Sequence, residues 1–174
     1  MRNLIISLIL VCSFMASIIG EPNHLMFVKS DSAETASLSQ LLNLYFGIKN
    51  ALVNSDAAAA ESKADEFVKA IDKIDAKTLA ENEHNAFISL KDKLTDDAKD
   101  ISQSKDLAIQ RNHFASFSNN FYSLAKAVKL STQTIYQDYC PMKKAFWLSE
   151  VPAIKNPYYG KAMLTCGKIT ETIK

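Results

Sequence analysis

The sequence predicts an all-α fold, an antiparallel four-helix bundle carrying an irregular C-terminal cap, and three observations predict it. From Asn23 to Tyr139 there is no proline and one glycine, Gly47, so the usual helix breakers are missing from more than a hundred residues. Apolar side chains recur at helical spacing in four successive segments of that stretch. The pattern then changes after Leu130, where β-branched and aromatic residues and three prolines arrive at intervals too short for another long helix.

In the first segment, Leu38, Leu41, Leu42, Tyr45, Ile48 and Leu52 lie on one face, and the helix should end near Asn54-Ser55. Asp56 is placed to cap a second helix. Its Ala57 to Ala60 run has the highest helix propensity available, and Phe67, Ala70, Ile71 and Ile74 supply a core stripe that ends near Ala76. A third helix is expected from about Thr78 through Asp100. Ala86, Phe87, Leu90, Leu94, Ala98 and Ile101 face the core, and Lys91, Lys93, Asp96, Asp97 and Lys99 form a solvated face. Ser102 or Ser104 should start the fourth, where Ile109, Phe114, Phe117, Phe121, Leu124 and Val128 converge on one wide apolar stripe. Four such helices joined by short polar turns bury their stripes against one another.

The remaining segments complete the domain organisation. Residues 1–20 hold one Arg, an apolar run and Gly20 ahead of Glu21-Pro22, the layout of a secretory signal peptide, too short and weakly flanked for a membrane span. The mature chain would start near Glu21, with residues 21–36 a flexible segment, 37–174 the helical domain and 132–174 its cap, and no transmembrane span. This layout predicts a secreted chain. Lipoprotein anchoring through Cys12 is disfavoured by Val11, which sits where such sites need a small residue. Of 20 basic and 19 acidic side chains, residues 1–20 contain only Arg2, so 19 of each sign remain. That balance gives no electrostatic footprint for nucleic acid or anionic lipid.

The cap, which has room for a small hairpin, carries the unusual chemistry. Pro141 biases Cys140 towards an extended conformation, in which residues two apart face the same side, so Cys140 and Met142 can address one target. A helical turn over Met163 to Cys166 would likewise bring thioether and thiol to one face. Two soft pairs on one cap favour Cu(I) over hard cations, and methionine argues against zinc. His113 falls on the apolar face of the fourth helix, where an imidazole needs a partner. It is either a core histidine satisfied by a tyrosine hydroxyl or a carbonyl, or a fifth ligand. The candidate metal residues are therefore His113, Cys140, Met142, Met163 and Cys166.

A structural disulfide is the competing reading of the cysteines, because two cysteines in a secreted chain usually pair, with a gain of about 3 kcal/mol for a loop of this length. A third arrangement combines that disulfide with Cu(I) held by Met142, Met163 and His113. Phe146, Trp147, Tyr139, Tyr158 and Tyr159 read as packing for a loop-rich cap, and Asn156-Pro157 with Gly160 as a turn. No nucleophile with a convergent base, Cys-x-x-Cys pair or phosphate-binding glycine loop is present, so the chain reads as non-enzymatic.

Several of these motifs together resemble a bacterial family of uncharacterised periplasmic domains. They are Ser102 to Ser104 leading into Gln110-Arg-Asn-His-Phe114, Tyr139-Cys-Pro-Met142, Trp147-Leu-Ser149, Ile154-Lys-Asn-Pro-Tyr-Tyr-Gly160 and Met163-Leu-Thr-Cys-Gly167. Such domains occur alone after a signal peptide and at the C-terminus of adaptor subunits of copper/silver efflux systems of the resistance-nodulation-division type. The resemblance spans Leu41 to Ile173. It implies a helical bundle, a copper connection, an efflux adaptor or other periplasmic protein as partner, and His113, Cys140, Met142, Met163 and Cys166 as candidate ligands. Lys143-Lys144-Ala145 departs from the family pattern by replacing a longer glycine-containing insertion. Two functions follow as expectations: a soft-metal module serving efflux or homeostasis, or a protein-interaction module locked by a Cys140 to Cys166 disulfide.

Overall fold

The structure is a computed structural model that describes residues 37–174. The expected signal peptide, the 21–36 segment and Cys12 lie outside the described residues. Helix α1 spans Leu38–Asn54, with the Ser37 hydroxyl accepting from the Gln40 amide at its start. Ser55 ends it in the left-handed region at φ 59°, and the Asp56 N–H returns to the Ala51 carbonyl. Asp56 then caps α2, Ala57–Asp72, accepting the Ala59 N–H at 2.9 Å, as its position in the sequence predicts. A single 3-10 turn at Ala76–Thr78 leads into α3, Glu81–Ser102. Helix α4 runs Leu107–Ala127, and its cap is Asp106 rather than Ser102 or Ser104. The Asp106 carboxylate takes the Ala108 and Ile109 amides, while the Ser104 hydroxyl is used one step earlier, on the Asp106 N–H.

Consecutive helices pack against each other, and short connections make neighbours run antiparallel. Their stripes meet in an aromatic core. Tyr45 of α1 stacks on Phe121 of α4 with centroids 4.6 Å apart, and Phe67 of α2 meets Phe117 edge-on at 4.9 Å. Ile109, expected in that stripe, is instead exposed. No helix among the described residues is long and apolar enough to cross a membrane.

The expected all-α class is overturned by the C-terminal third, which is a three-stranded antiparallel sheet. Strands β1, Ile135–Cys140, β2, Ala145–Ser149, and β3, Lys168–Ile173, lie in the order β2-β1-β3. The hairpin for which the cap had room is β1–β2. The sheet escaped the sequence reading because the prolines punctuate strands rather than prevent them: Pro141 sits in the hairpin turn, and Pro152 and Pro157 in the connection from β2 to β3. Strand β2 packs on α4 and also touches α1. Trp147 and Leu148, both fully buried, join the helical core from this strand.

Candidate functional site

The two cysteines of the cap meet because the sheet brings them together. Cys140 is the last residue of β1, paired with Ala145 across the turn Pro141-Met-Lys-Lys144. The turn closes with Lys144 at φ 56° and its N–H on the Cys140 carbonyl at 2.8 Å. In the β1–β3 ladder Tyr139 stands opposite Lys168, so one further step sets Cys140 beside Gly167, with Cys166 next to it. Gly167 is required there. A Cβ on it would lie 2.7 Å from Trp147 Cη2 and 3.2 Å from the Tyr139 carbonyl oxygen.

Asn156 joins the two segments from beneath. Its Nδ2 donates to Cys140 Sγ at 3.1 Å and to the Cys166 carbonyl at 2.7 Å, and its Oδ1 accepts the Tyr158 N–H at 2.8 Å. Its backbone is equally committed, N–H to Leu164 and C=O to Gly160. The side chain is fully buried and fully satisfied. Cys140 Sγ also accepts the Lys143 N–H at 3.4 Å, so two N–H groups converge on a buried sulfur.

Both cysteines are free thiols, Cys140 buried and Cys166 half-buried. Burial, then the neighbouring Cys140 thiol, pushes the Cys166 thiol up, and the Met142 backbone N–H partly offsets this. Of the five predicted ligands, the structure thus brings Cys140 and Cys166 together, with the Met142 backbone against them. The Met142 side chain projects from the hairpin turn at 62 % exposure. Met163 closes the 3-10 turn Gly160–Met163, and its carbonyl accepts the Cys166 N–H at 3.1 Å, the tight turn expected between them. His113 belongs to different surroundings. Its Nδ1 lies 3.1 Å from Asp100 Oδ2 on α3, so its partner is a carboxylate and not the tyrosine or carbonyl expected of a core histidine.

Among the described residues no three His, Cys, Asp or Glu side chains are grouped to hold a metal ion. The donor set on the cap is two thiols with thioethers on both flanking turns. Sulfur donors of this kind do not suit a hard cation.

Sequence reasoning missed three residues around this site. Asn156 read only as part of a turn. Gln110 and Arg111, quoted as family residues without a role, are clamps. Gln110 Nε2 donates to the Ala57 and Ser104 carbonyls, and Arg111 reaches the Pro157 and Leu52 carbonyls and the Ser55 hydroxyl, tying the loop after β2 to the end of α1. A second polar feature lies on β1 itself. Asp138 is buried with both carboxylate oxygens unpartnered, opposite Trp147, whose Nε1 also lacks a partner. Burial raises the Asp138 carboxyl to about 7, and the charge of Lys49 opposes that rise.

Residues 41–133 match a family described as a protein of unknown function (DUF3347). The matched region runs from within α1 through α4 and stops before β1, so the cap with both cysteines lies beyond it. No curated protein and no solved structure matches the chain.

Proposed function

The chain belongs to the DUF3347 family of proteins of unknown function, and from that premise we propose that it is a non-enzymatic soft-metal module, binding Cu(I) through Cys140 and Cys166 with Met142 and Met163 alongside. The single observation that carries this reading is the meeting of two free thiols, Cys140 at the end of β1 and Cys166 just ahead of β3. Thiolate ligands suit soft ions, and the methionine thioethers beside them favour Cu(I) over zinc. His113 is left out of the ligand set because Asp100 already engages its Nδ1.

The leader-like composition of residues 1–20 supports a periplasmic setting, and the resemblance of the cap motifs to domains of copper/silver efflux adaptors supports metal buffering or delivery to such a system. The test is competition of the reduced chain against a chromophoric Cu(I) chelator. We expect tight binding that is lost in a Cys140→Ser, Cys166→Ser double variant and weakened at least about tenfold in a Met142→Ala, Met163→Ala double variant. Binding that is weak, or indifferent to the thiols, would remove the reading.

The same thiol adjacency favours a second reading, an interaction module whose cap is closed by a Cys140 to Cys166 disulfide. Counting thiols in native protein separates the two: a chain isolated with both cap thiols blocked, binding no Cu(I) even after reduction, supports the second.

A further inference from the structure

The two cap cysteines are chemically unequal. Cys166 is half-buried and follows a turn at the surface, whereas Cys140 is fully buried and its sulfur accepts N–H groups from Asn156 and Lys143. Cys140 ends β1 and Cys166 lies just ahead of β3, past the last pair of their ladder, and the two thiols are close enough to hydrogen-bond to each other. One amide nitrogen, Asn156 Nδ2, lies within hydrogen-bond distance of both Cys140 Sγ and the Cys166 backbone, which limits how far the two can drift apart.

We propose that Cys140 and Cys166 form a reversible dithiol–disulfide switch, in which Cys166 exchanges with external disulfides and Cys140, positioned by Asn156, is the resolving thiol. This rests on the thiol pair of the metal reading but not on metal. The oxidant is a low-molecular-weight disulfide, RSSR. Deprotonated Cys166 attacks one of its sulfurs, the S–S bond breaks, and RSH leaves with the proton Cys166 gave up. Deprotonated Cys140 then attacks the Cys166 sulfur of the mixed disulfide, the bond to R breaks, and a second RSH leaves with the proton of Cys140. Two protein thiols are oxidised to one disulfide, and RSSR is reduced to two RSH.

The reverse direction explains the asymmetry. An external thiol can reach only Cys166, so Cys140 is the sulfur that leaves, into a pocket where the Asn156 and Lys143 N–H groups face it. Oxidation removes both thiolate ligands at once, so the switch would release a soft metal from the cap.

The experiment uses the full chain with Cys12→Ser, metal-free, in buffers of oxidised and reduced glutathione, with peptide mapping by mass spectrometry. We expect one intramolecular Cys140–Cys166 disulfide that reduced glutathione reopens. A short iodoacetamide pulse on the reduced chain should modify Cys166 at least about tenfold faster than Cys140. A stable glutathione adduct that never closes, an intermolecular disulfide, or faster modification of Cys140 would each overturn the proposal. Asn156→Asp, checked for folding by circular dichroism, replaces the donor with an acceptor and should slow ring closure severalfold; closure at the unaltered rate in a folded variant would remove the positioning role of Asn156. Failure of Cu(I) binding by the reduced chain would sink the metal reading and leave this switch standing, and failure of disulfide formation would do the reverse.

Discussion

The hydroxyl of Tyr45, fully buried in α1, accepts the backbone N–H of Leu148 in β2 at 2.8 Å, so a side chain of the helical core completes the hydrogen bonding of the sheet. The same oxygen lies 2.6 Å from Ser118 Oγ on α4. One phenol therefore ties α1, α4 and β2 at the point where the sheet meets the bundle. Tyr45→Phe keeps the ring stacking but removes the acceptor of the Leu148 N–H and the bond to the Ser118 hydroxyl. The expected cost is about 1–3 kcal/mol, set by the desolvation of those groups. Urea denaturation checks it, and an unchanged midpoint would show that the junction does not depend on the bond.

Asp138 makes a prediction with a definite sign for the metal-free chain. Its carboxyl stands near 7 in the fold against an ordinary value of 3.8, because burial disfavours the charge and Lys49, already committed to Glu150 at 2.8 Å, offsets this only in part. The raised folded value means that the stability associated with this group is complete below about pH 4. It is then lost as pH rises towards 7, by up to about 1.4 kcal/mol per pH unit, and is level above that. Asp138→Asn should abolish this decline and leave the variant more stable than the parent at pH 8. Thermal unfolding across pH 4 to 8 reads it directly; parallel curves for the two proteins would count against a buried, unpartnered acid.

How much of this architecture could be read from residues alone depended on periodicity. The helical stripes of α1 and α2 and the Asp56 cap were legible because apolar spacing and a lone acidic residue ahead of an alanine run are local signals. The sheet was not. Strand β3 is Lys168–Ile173, largely exposed, and its pairing with β1 is a long-range event that no local pattern reports. The same distance hides the clamps: Gln110 bonds a carbonyl 53 positions away and Arg111 one 59 away. Residue type alone drew attention to the two thiols, yet their partner Asn156 was hidden behind its own turn chemistry. His113 lay on the expected helix, but a carboxylate on α3 could not be assigned to it before the α3–α4 packing was known.

Gly160 holds the loop after β2 against the bundle in the left-handed region, at φ 54°. A Cβ there would lie 2.6 Å from Ser55 Oγ, 2.8 Å from Arg111 Nη2 and 2.9 Å from the Val53 carbonyl oxygen. The backbone oxygen cannot move aside as a flexible side chain could. Gly160→Ala should therefore cost on the order of 1–3 kcal/mol through strain, and it should also loosen the Arg111 clamp. Hydrogen exchange gives a local readout: the Gly160 position, whose own N–H bonds Asn156, and the Asn156 amide should exchange faster while α2 and α3 remain protected.

Gly167→Ala separates the geometry of the thiol pair from the chemistry of its members. The change leaves Cys140, Cys166 and both methionines in place. Its new methyl group would meet Trp147 Cη2 at 2.7 Å, and Trp147 is fully buried and packed edge-on against Tyr158, so it cannot retreat. The segment carrying Cys166 ahead of β3 must then move away from β1, and the Asn156 bond to the Cys166 carbonyl lengthens with it. Two results should follow together: Cu(I) affinity of the reduced chain falls at least about tenfold, and disulfide closure by oxidised glutathione slows to a similar degree. The atoms nearest the new methyl group belong to Trp147, Ile154 and Tyr139, none of them in α1 to α4, so helical content by far-ultraviolet circular dichroism should stay unchanged. A folded variant with undiminished affinity would mean that metal binding does not use the two sulfurs as neighbours, and would direct attention to the exposed thioether of Met142 instead.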